Sequence, residues 1–293
     1  MRIEHVPVPN QKQAIIKIEG LIRPLSLLHV TDCHMNETDL KDGEEAFAES
    51  MRLYGFDALA TRNHFDDALR YANDKSFDCV ALTGDVVNGA TIGNLEHLEG
   101  RLERLAMPYL YTPGNHDWEY PHQSWGERTR AVQYPKFARI TGGQPAYRAI
   151  ALQGVNLVAI DNSTYQITEE QLAFFRERLA EGLPTLLFSH IPIYVPSLLP
   201  EVVKIWGSPI MMAAEGWDEK LRKEWMVEKT TAATRAFHEL LLNNPYDNLV
   251  GVFCGHVHFG HATPFGRGSC QYVTEPGFAG GYRVIHLLPA TSP

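Results

Sequence analysis

Five times along this chain a short apolar run stops at a cluster of metal-binding residue types. The clusters are Asp32-Cys33-His34, Gly84-Asp85, Gly114-Asn115-His116-Asp117, Ser189-His190 and Gly255-His256-Val257-His258. The runs before them cover residues 25–31, 77–83, 108–112, 185–188 and 249–254. Apolar runs of this length between turn signals read as strands buried on both faces. Further strands are predicted at 13–19, taken as the first, and at 156–160, 271–274 and 282–288. Helical apolar spacing falls at 46–59, 65–72, 95–105 and 232–242. Another helix opens at Thr168, where Gln171 completes a capping box, and Gly182 and Pro184 stop it after about residue 180. Strands alternating with helices predict an α/β layered fold.

Two stretches break this rhythm. Residues 118–143 are rich in Trp, Tyr, Pro and Arg, and residues 191–231 carry Trp206, Trp217, Trp225, Met211 and Met212 among several prolines. Long irregular segments after chemical motifs serve as substrate walls; packing on the domain or on a second copy is the alternative. With no repeat or composition shift, residues 1–293 read as a single domain, with an irregular insertion at about 191–231.

The formal charge of −9, from 35 acidic and 26 basic residues, argues against nucleic acid as the partner, because that binding rests on Lys and Arg neutralising phosphates. A small anion remains compatible, since a bound metal's local charge outweighs a diffuse surface charge. No apolar run reaches membrane-spanning length. Residues 1–20 mix charges among apolar residues and show no signal-peptide core. Cys33, Cys79, Cys254 and Cys270 form no C-x-x-C pair and read as reduced core thiols. A cytoplasmic protein is expected.

On a strand end, residues two apart face the same side. Asp32 and His34 can therefore offer a carboxylate and an imidazole to one ion, while Cys33 faces away, and His256 and His258 form a second such pair. Asp85 has two oxygens and can bridge two cations. Asn115 offers a neutral amide oxygen, and His190 ends its own strand. The candidate ligands are Asp32, His34, Asp85, Asn115, His190, His256 and His258. His116 need not be a ligand; beside the metals it can stabilise substrate oxygens or protonate a leaving group. Asp117 either orients an imidazole or caps the turn that follows it. Imidazole-rich ligation favours transition metals, Mn, Fe or Zn, over Mg or Ca.

Taken together, the five motifs resemble those of the calcineurin-like metallophosphoesterases, over residues 32–258. The resemblance implies a four-layer α/β/β/α sandwich with two mixed β-sheets and a dinuclear metal site at strand C-terminal ends. It implies one metal held by Asp32, His34, Asp85 and His258, the other by Asp85, Asn115, His190 and His256, with His116 as the catalytic histidine. Protein Ser/Thr phosphatases of the family carry Gly-Asp-x-x-Asp-Arg-Gly and Gly-Asn-His-Glu. Here Asn88 and Gly89 stand in place of that Asp and Arg, and Asp117 in place of the Glu. The pattern is more similar to the bacterial phosphodiesterase-type branch.

The expected activity is hydrolysis of a small phosphodiester, of cyclic-nucleotide or glycerophosphodiester type, by metal-bound hydroxide, without a Ser or Cys nucleophile. The alternatives are a phosphomonoesterase on a small metabolite, a nuclease, and a non-catalytic metal-binding scaffold. Among the other histidines, His29 and His286 lie within strand-like runs and read as structural. His64 and His261 are possible substrate contacts, and Trp118, Tyr194 and Trp206 possible stacking surfaces.

Overall fold

The computed structural model describes residues 1–53, 55–118 and 126–290. The strands among them are β1 (Ile3–Val6), β2 (Gln13–Ile18), β3 (Leu25–Val30), β4 (Cys79–Thr83), β5 (Tyr109–Thr112), β6 (Tyr147–Leu152), β7 (Val155–Ile160), β8 (Thr185–Phe188), β9 (Leu249–Cys254), β10 (His261–Phe265), β11 (Ser269–Val273) and β12 (Arg283–Pro289). The helices are α1 (Glu44–Leu53), α2 (Ala58–Lys75), α3 (Ile92–Leu102), α4 (Glu127–Thr141), α5 (Glu169–Ala180), α6 (Leu199–Trp206), α7 (Glu219–Glu224) and α8 (Ala232–Asn243). One sheet runs β1-β2-β12-β3-β4-β5 and the other β10-β11-β9-β8-β7-β6. β3, β4 and β5 are parallel neighbours, as are β7, β8 and β9. Antiparallel pairs, such as β3 with β12 and β6 with β7, make both sheets mixed.

The apolar runs are continuous because both faces of these strands are covered. Leu25, Leu27, Cys79 and Ala81 meet Leu157, Leu186, Phe188 and Phe253 between the sheets. The alternate residues Leu28, Val30, Val80 and Leu82 pack outward on Phe65, Leu69, Leu98 and Phe137 from α2, α3 and α4. On the far side Val158, Leu187 and Val252 pack on Phe175 and Phe237 from α5 and α8. The result is the expected α/β/β/α sandwich. Thr168 caps α5 through the expected capping box with Gln171.

Several expectations need correction. The strand expected first is the second, because β1 precedes it and pairs with it. β6 and β10 also form where no strand was expected. The apolar stretch 46–59 is divided between α1 and α2, because the Asp57 side chain accepts from Ala60 N and starts a new helix. Residues 118–143 contain the helix α4, and residues 119–125 of that stretch lie outside the described residues. Residues 191–231 contain α6 and α7, and Ile191, Ile193, Ile210, Met211 and Met212 are buried in the outer core. The four cysteines are buried free thiols. Among the described residues no helix is long and apolar enough to cross a membrane.

His29 joins the two sheets just beneath the strand ends. Its ring nitrogens lie 2.7 Å from the hydroxyls of Thr274 and Thr83. Burial, assisted by the Arg283 guanidinium, lowers its pKa from 6.5 to about 3 against the pull of Asp32. The unfolded chain protonates this imidazole below pH 6.5, whereas the folded chain does so only near 3. The contribution to stability is therefore complete above 6.5 and is lost as pH falls. Between pH 7 and pH 5 the metal-free protein should lose about 2 kcal/mol through this group. Urea unfolding at both values should show a correspondingly smaller loss in His29→Gln, and equal losses would remove His29 as the cause.

Candidate metal centre

All seven candidate ligands lie just beyond strand C-termini, six of them after inner strands and Asn115 after the edge strand β5. Asp32 and His34 follow β3, Asp85 follows β4 and Asn115 follows β5; His190 follows β8, and His256 and His258 follow β9. The ligand atoms of Asp32, His34, Asp85 and His258 lie within 4.8 Å of one another, as do those of Asp85, His190 and His256. Asp85 belongs to both groups.

The side chains do not converge through strand alternation, as the spacing suggested. After β3, β4 and β9 they converge because the chain turns left-handed. Asp32, His34, Asp85, His256 and His258 all have positive φ, from 47° to 70°. Such conformations cost on the order of 1 kcal/mol or more each and persist only where the surroundings enforce them. Here the enforcement is a lattice of hydrogen bonds between loops. Asp32 N donates to Gly84 O (3.0 Å) and His34 N to Asp85 O (2.8 Å). His256 N donates to the Asp32 carboxylate at 2.9 Å, and His116 N to Asp85 Oδ1 at 2.7 Å. Two glycines permit this closeness. A Cβ on Gly84 would overlap the backbone of Gly114, and one on Gly255 would overlap the side chains of Thr31 and Asp32.

Asp117 is neither an imidazole partner nor a simple cap. Its buried carboxylate accepts from the backbone N–H groups of Asp85 (3.0 Å), Gly114 (2.7 Å) and Val87 (3.1 Å), clamping the loop after β4 to the loop after β5. Burial and the nearby Asp85 push its pKa up to about 7.

His190 Nδ1 lies 2.7 Å from the Thr83 carbonyl. A carbonyl only accepts, so Nδ1 carries the hydrogen and Nε2 points to Asp85 Oδ2, 3.1 Å away. The Nε2 atoms of His34 and His258 lie 3.3 Å apart, and His258 Nε2 is 3.3 Å from Asp32 Oδ1. Burial alone would raise the Asp32 carboxyl, but the His258 and His190 imidazoles outweigh it and hold it at about 2. Asp85 is likewise held well below the carboxylate range, against burial, by His190 and His116. Burial lowers His34 to about 3, and His256 well below its usual value, keeping both in the neutral form that ligates metal. His190 is the exception, raised to about 9 because Asp85 overcomes its burial.

The donor set fits a pair of ions. The buried Asp85 Oδ2 faces imidazole nitrogens of His190 at 3.1 Å and His34 at 3.8 Å, and Asn115 Oδ1 is buried and has no hydrogen-bond partner among the described residues. Buried polar atoms are rarely left this way without a ligand to meet them. Anionic oxygens and neutral imidazoles beside an amide oxygen are transition-metal donors.

Aromatic rings border the cluster. Phe56 stacks on His34 at 4.8 Å, Phe278 lies 5.1 Å from the His258 ring, and Trp206 lies 5.3 Å from it. The His116 ring is half-buried, 4.8 Å from that of His34. Trp118 is fully buried and donates its indole N–H to Ser163, so it offers no stacking face. Tyr194 sits half-buried near His238. His261 pairs with Glu201 and His64 with the Phe278 carbonyl.

Sequence reasoning passed over the turn after β7. Asn162 Oδ1 accepts from His190 N (3.1 Å) and Ile191 N (2.9 Å), and the Tyr165 hydroxyl lies 2.7 Å from His256 Nε2. The available signal was that β7, like the ligand-bearing strands, is an apolar run ending in polar residues, Asp161-Asn162.

No curated protein matches the sequence. Among solved structures, a dimetal phosphatase from Danio rerio is similar at 12% identity and a TM-score of 0.57, over 87% of this chain and 88% of that one. The protein TT1561 of Thermus thermophilus aligns at 12% identity and a TM-score of 0.43, over 87% and 90%. A 5′-nucleotidase from Candida albicans aligns at 14% identity and a TM-score of 0.39, over 87% of this chain and 45% of that one. At these identities the Danio rerio likeness speaks for the fold. The sequence itself matches the family model for calcineurin-like phosphoesterases over residues 25–260. The chain therefore belongs to the calcineurin-like phosphoesterase family and is a phosphoric ester hydrolase.

Proposed function

We propose that residues 1–293 act as a single domain in which Asp32, His34, Asp85 and His258 hold one transition-metal ion. Asp85, Asn115, His190 and His256 hold a second, and the substrate is a small phosphodiester of cyclic-nucleotide or glycerophosphodiester type. The observation that carries this reading is Asp85: buried, common to both donor groups, with Oδ2 facing His190 at 3.1 Å and His34 at 3.8 Å. Ions bound there would polarise the phosphoryl group and acidify water near neutral pH. The chain's own residues supply the rest. Asp32 and Asp85 hold the negative charge of the site, and the backbone lattice fixes their oxygens before substrate arrives. His116, beside His34, gives its proton to the leaving oxygen as the P–O bond breaks and water's oxygen joins phosphorus.

Diester over monoester is supported by the surroundings. The rings against His34 and His258 are uncharged aromatics. Asn88 and Gly89 contribute backbone bonds, from Asn88 N to Met35 O and from Gly89 N to His116 O, with no guanidinium at that place. A diester carries one negative charge and an organic group on each side, which suits such a rim better than a dianionic monoester does. Assays of the Mn²⁺-loaded protein on bis(p-nitrophenyl) phosphate and p-nitrophenyl phosphate should give the higher kcat/KM for the diester. A strong monoester preference would replace this reading with the phosphomonoesterase one.

A further inference from the structure

The turn after β7 contributes no ligand to either donor group, yet it touches the loops that carry both imidazoles of the second group. Asn162 holds the backbone of the His190 loop through three bonds: it accepts from His190 N and Ile191 N and donates from Nδ2 to Ile191 O at 2.7 Å. Three residues on, Tyr165 presents its hydroxyl to His256 Nε2 at 2.7 Å. Tyr165 is 2% exposed and adopts φ 62°, a strained backbone for an aromatic residue. Its N–H closes the turn onto Asn162 O (2.8 Å), and its ring lies 6.0 Å from Trp217, edge to face, so the irregular segment 191–231 shields it.

With Nε2 engaged by the hydroxyl, Nδ1 is the His256 nitrogen left for an ion. The two imidazoles of the second group are therefore each pinned through the outward nitrogen, His190 by the Thr83 carbonyl and His256 by Tyr165. Such partners fix ring orientation and tautomer, and their loss costs about 10–100-fold in metal affinity. We infer that Tyr165 is a positioning residue for His256, and that through it the turn at residues 161–165 sets the affinity of the second ion without affecting the first. The inference rests on the two-ion reading above. When Nδ1 meets an ion, Nε2 carries the hydrogen and donates it to Tyr165, so Tyr165→Phe leaves a buried N–H unsatisfied while preserving the shape of the ring.

Calorimetric titration of the full-length, metal-stripped protein with Mn²⁺ tests this, using wild type, Tyr165→Phe, His256→Ala and the double variant. Tyr165→Phe should weaken one of two binding events by about 10–100-fold and leave the other unchanged. It should add nothing to His256→Ala, in which only the first ion remains. Equal weakening of both events, no weakening of either, or a further loss in the double variant would each overturn the inference and leave Tyr165 a general packing residue. A wild type that binds a single ion overturns the two-ion reading, and this inference with it. That failure is recognisable because it precedes any substitution.

Discussion

Asp85→Asn is expected to abolish binding of both ions and to lower turnover by at least about 10³-fold, while the metal-free protein stays folded. Among the described residues Asp85 is the one common to the two donor groups, and it faces His190 at 3.1 Å and His34 at 3.8 Å through Oδ2. The substitution keeps the planar shape of the side chain and an oxygen for His116 N, but removes the charge common to the two donor groups. Asparagine is also among the residues that best tolerate left-handed backbone, so the φ of 49° at this position need not break. Metal content by mass spectrometry, with thermal unfolding of the stripped protein, separates the two effects. Retention of either ion at wild-type affinity would show that Asp85 does not bridge.

His116→Ala should act differently: both ions remain, and kcat falls by about 10²–10⁴-fold. The His116 backbone N–H is tied to Asp85 Oδ1 at 2.7 Å, and alanine keeps that bond, so only the ring is lost. The size of the loss should depend on the leaving group. p-Nitrophenolate departs without a proton, whereas an alkoxide needs one, so a simple alkyl diester should suffer more than bis(p-nitrophenyl) phosphate. An equal loss on both would move His116 from proton donor to a purely electrostatic role.

The central strands were legible because burial on both faces leaves uninterrupted apolar runs, as in β4, β8 and β9. The strands that escaped notice, β1, β6 and β10, are sheet edges. Their exposed positions mix charged and polar residues with apolar ones, and β10 carries Pro264, which an edge tolerates. Helix α4 was hidden by its polarity and by Pro135 within it. The candidate ligands could be named from residue type and spacing, but their convergence could not. It depends on left-handed turns that glycine-poor motifs such as Asp32-Cys33-His34 do not advertise. The supports Asn162, Tyr165 and Asp117 depend on contacts between distant loops, 91 residues apart for Tyr165 and His256. No local pattern encodes such a contact.

The division of the candidate ligands between the sheets has a thermodynamic consequence. Asp32, His34, Asp85 and Asn115 follow strands of one sheet, and His190, His256 and His258 follow strands of the other. Each donor group draws on both. An occupied centre would therefore be a cross-link that rivets two β-layers at one edge of their shared core, opposing any sliding of one over the other. Such binding stabilises the folded chain by about 2.7 kcal/mol per site at a hundredfold excess of free ion over Kd.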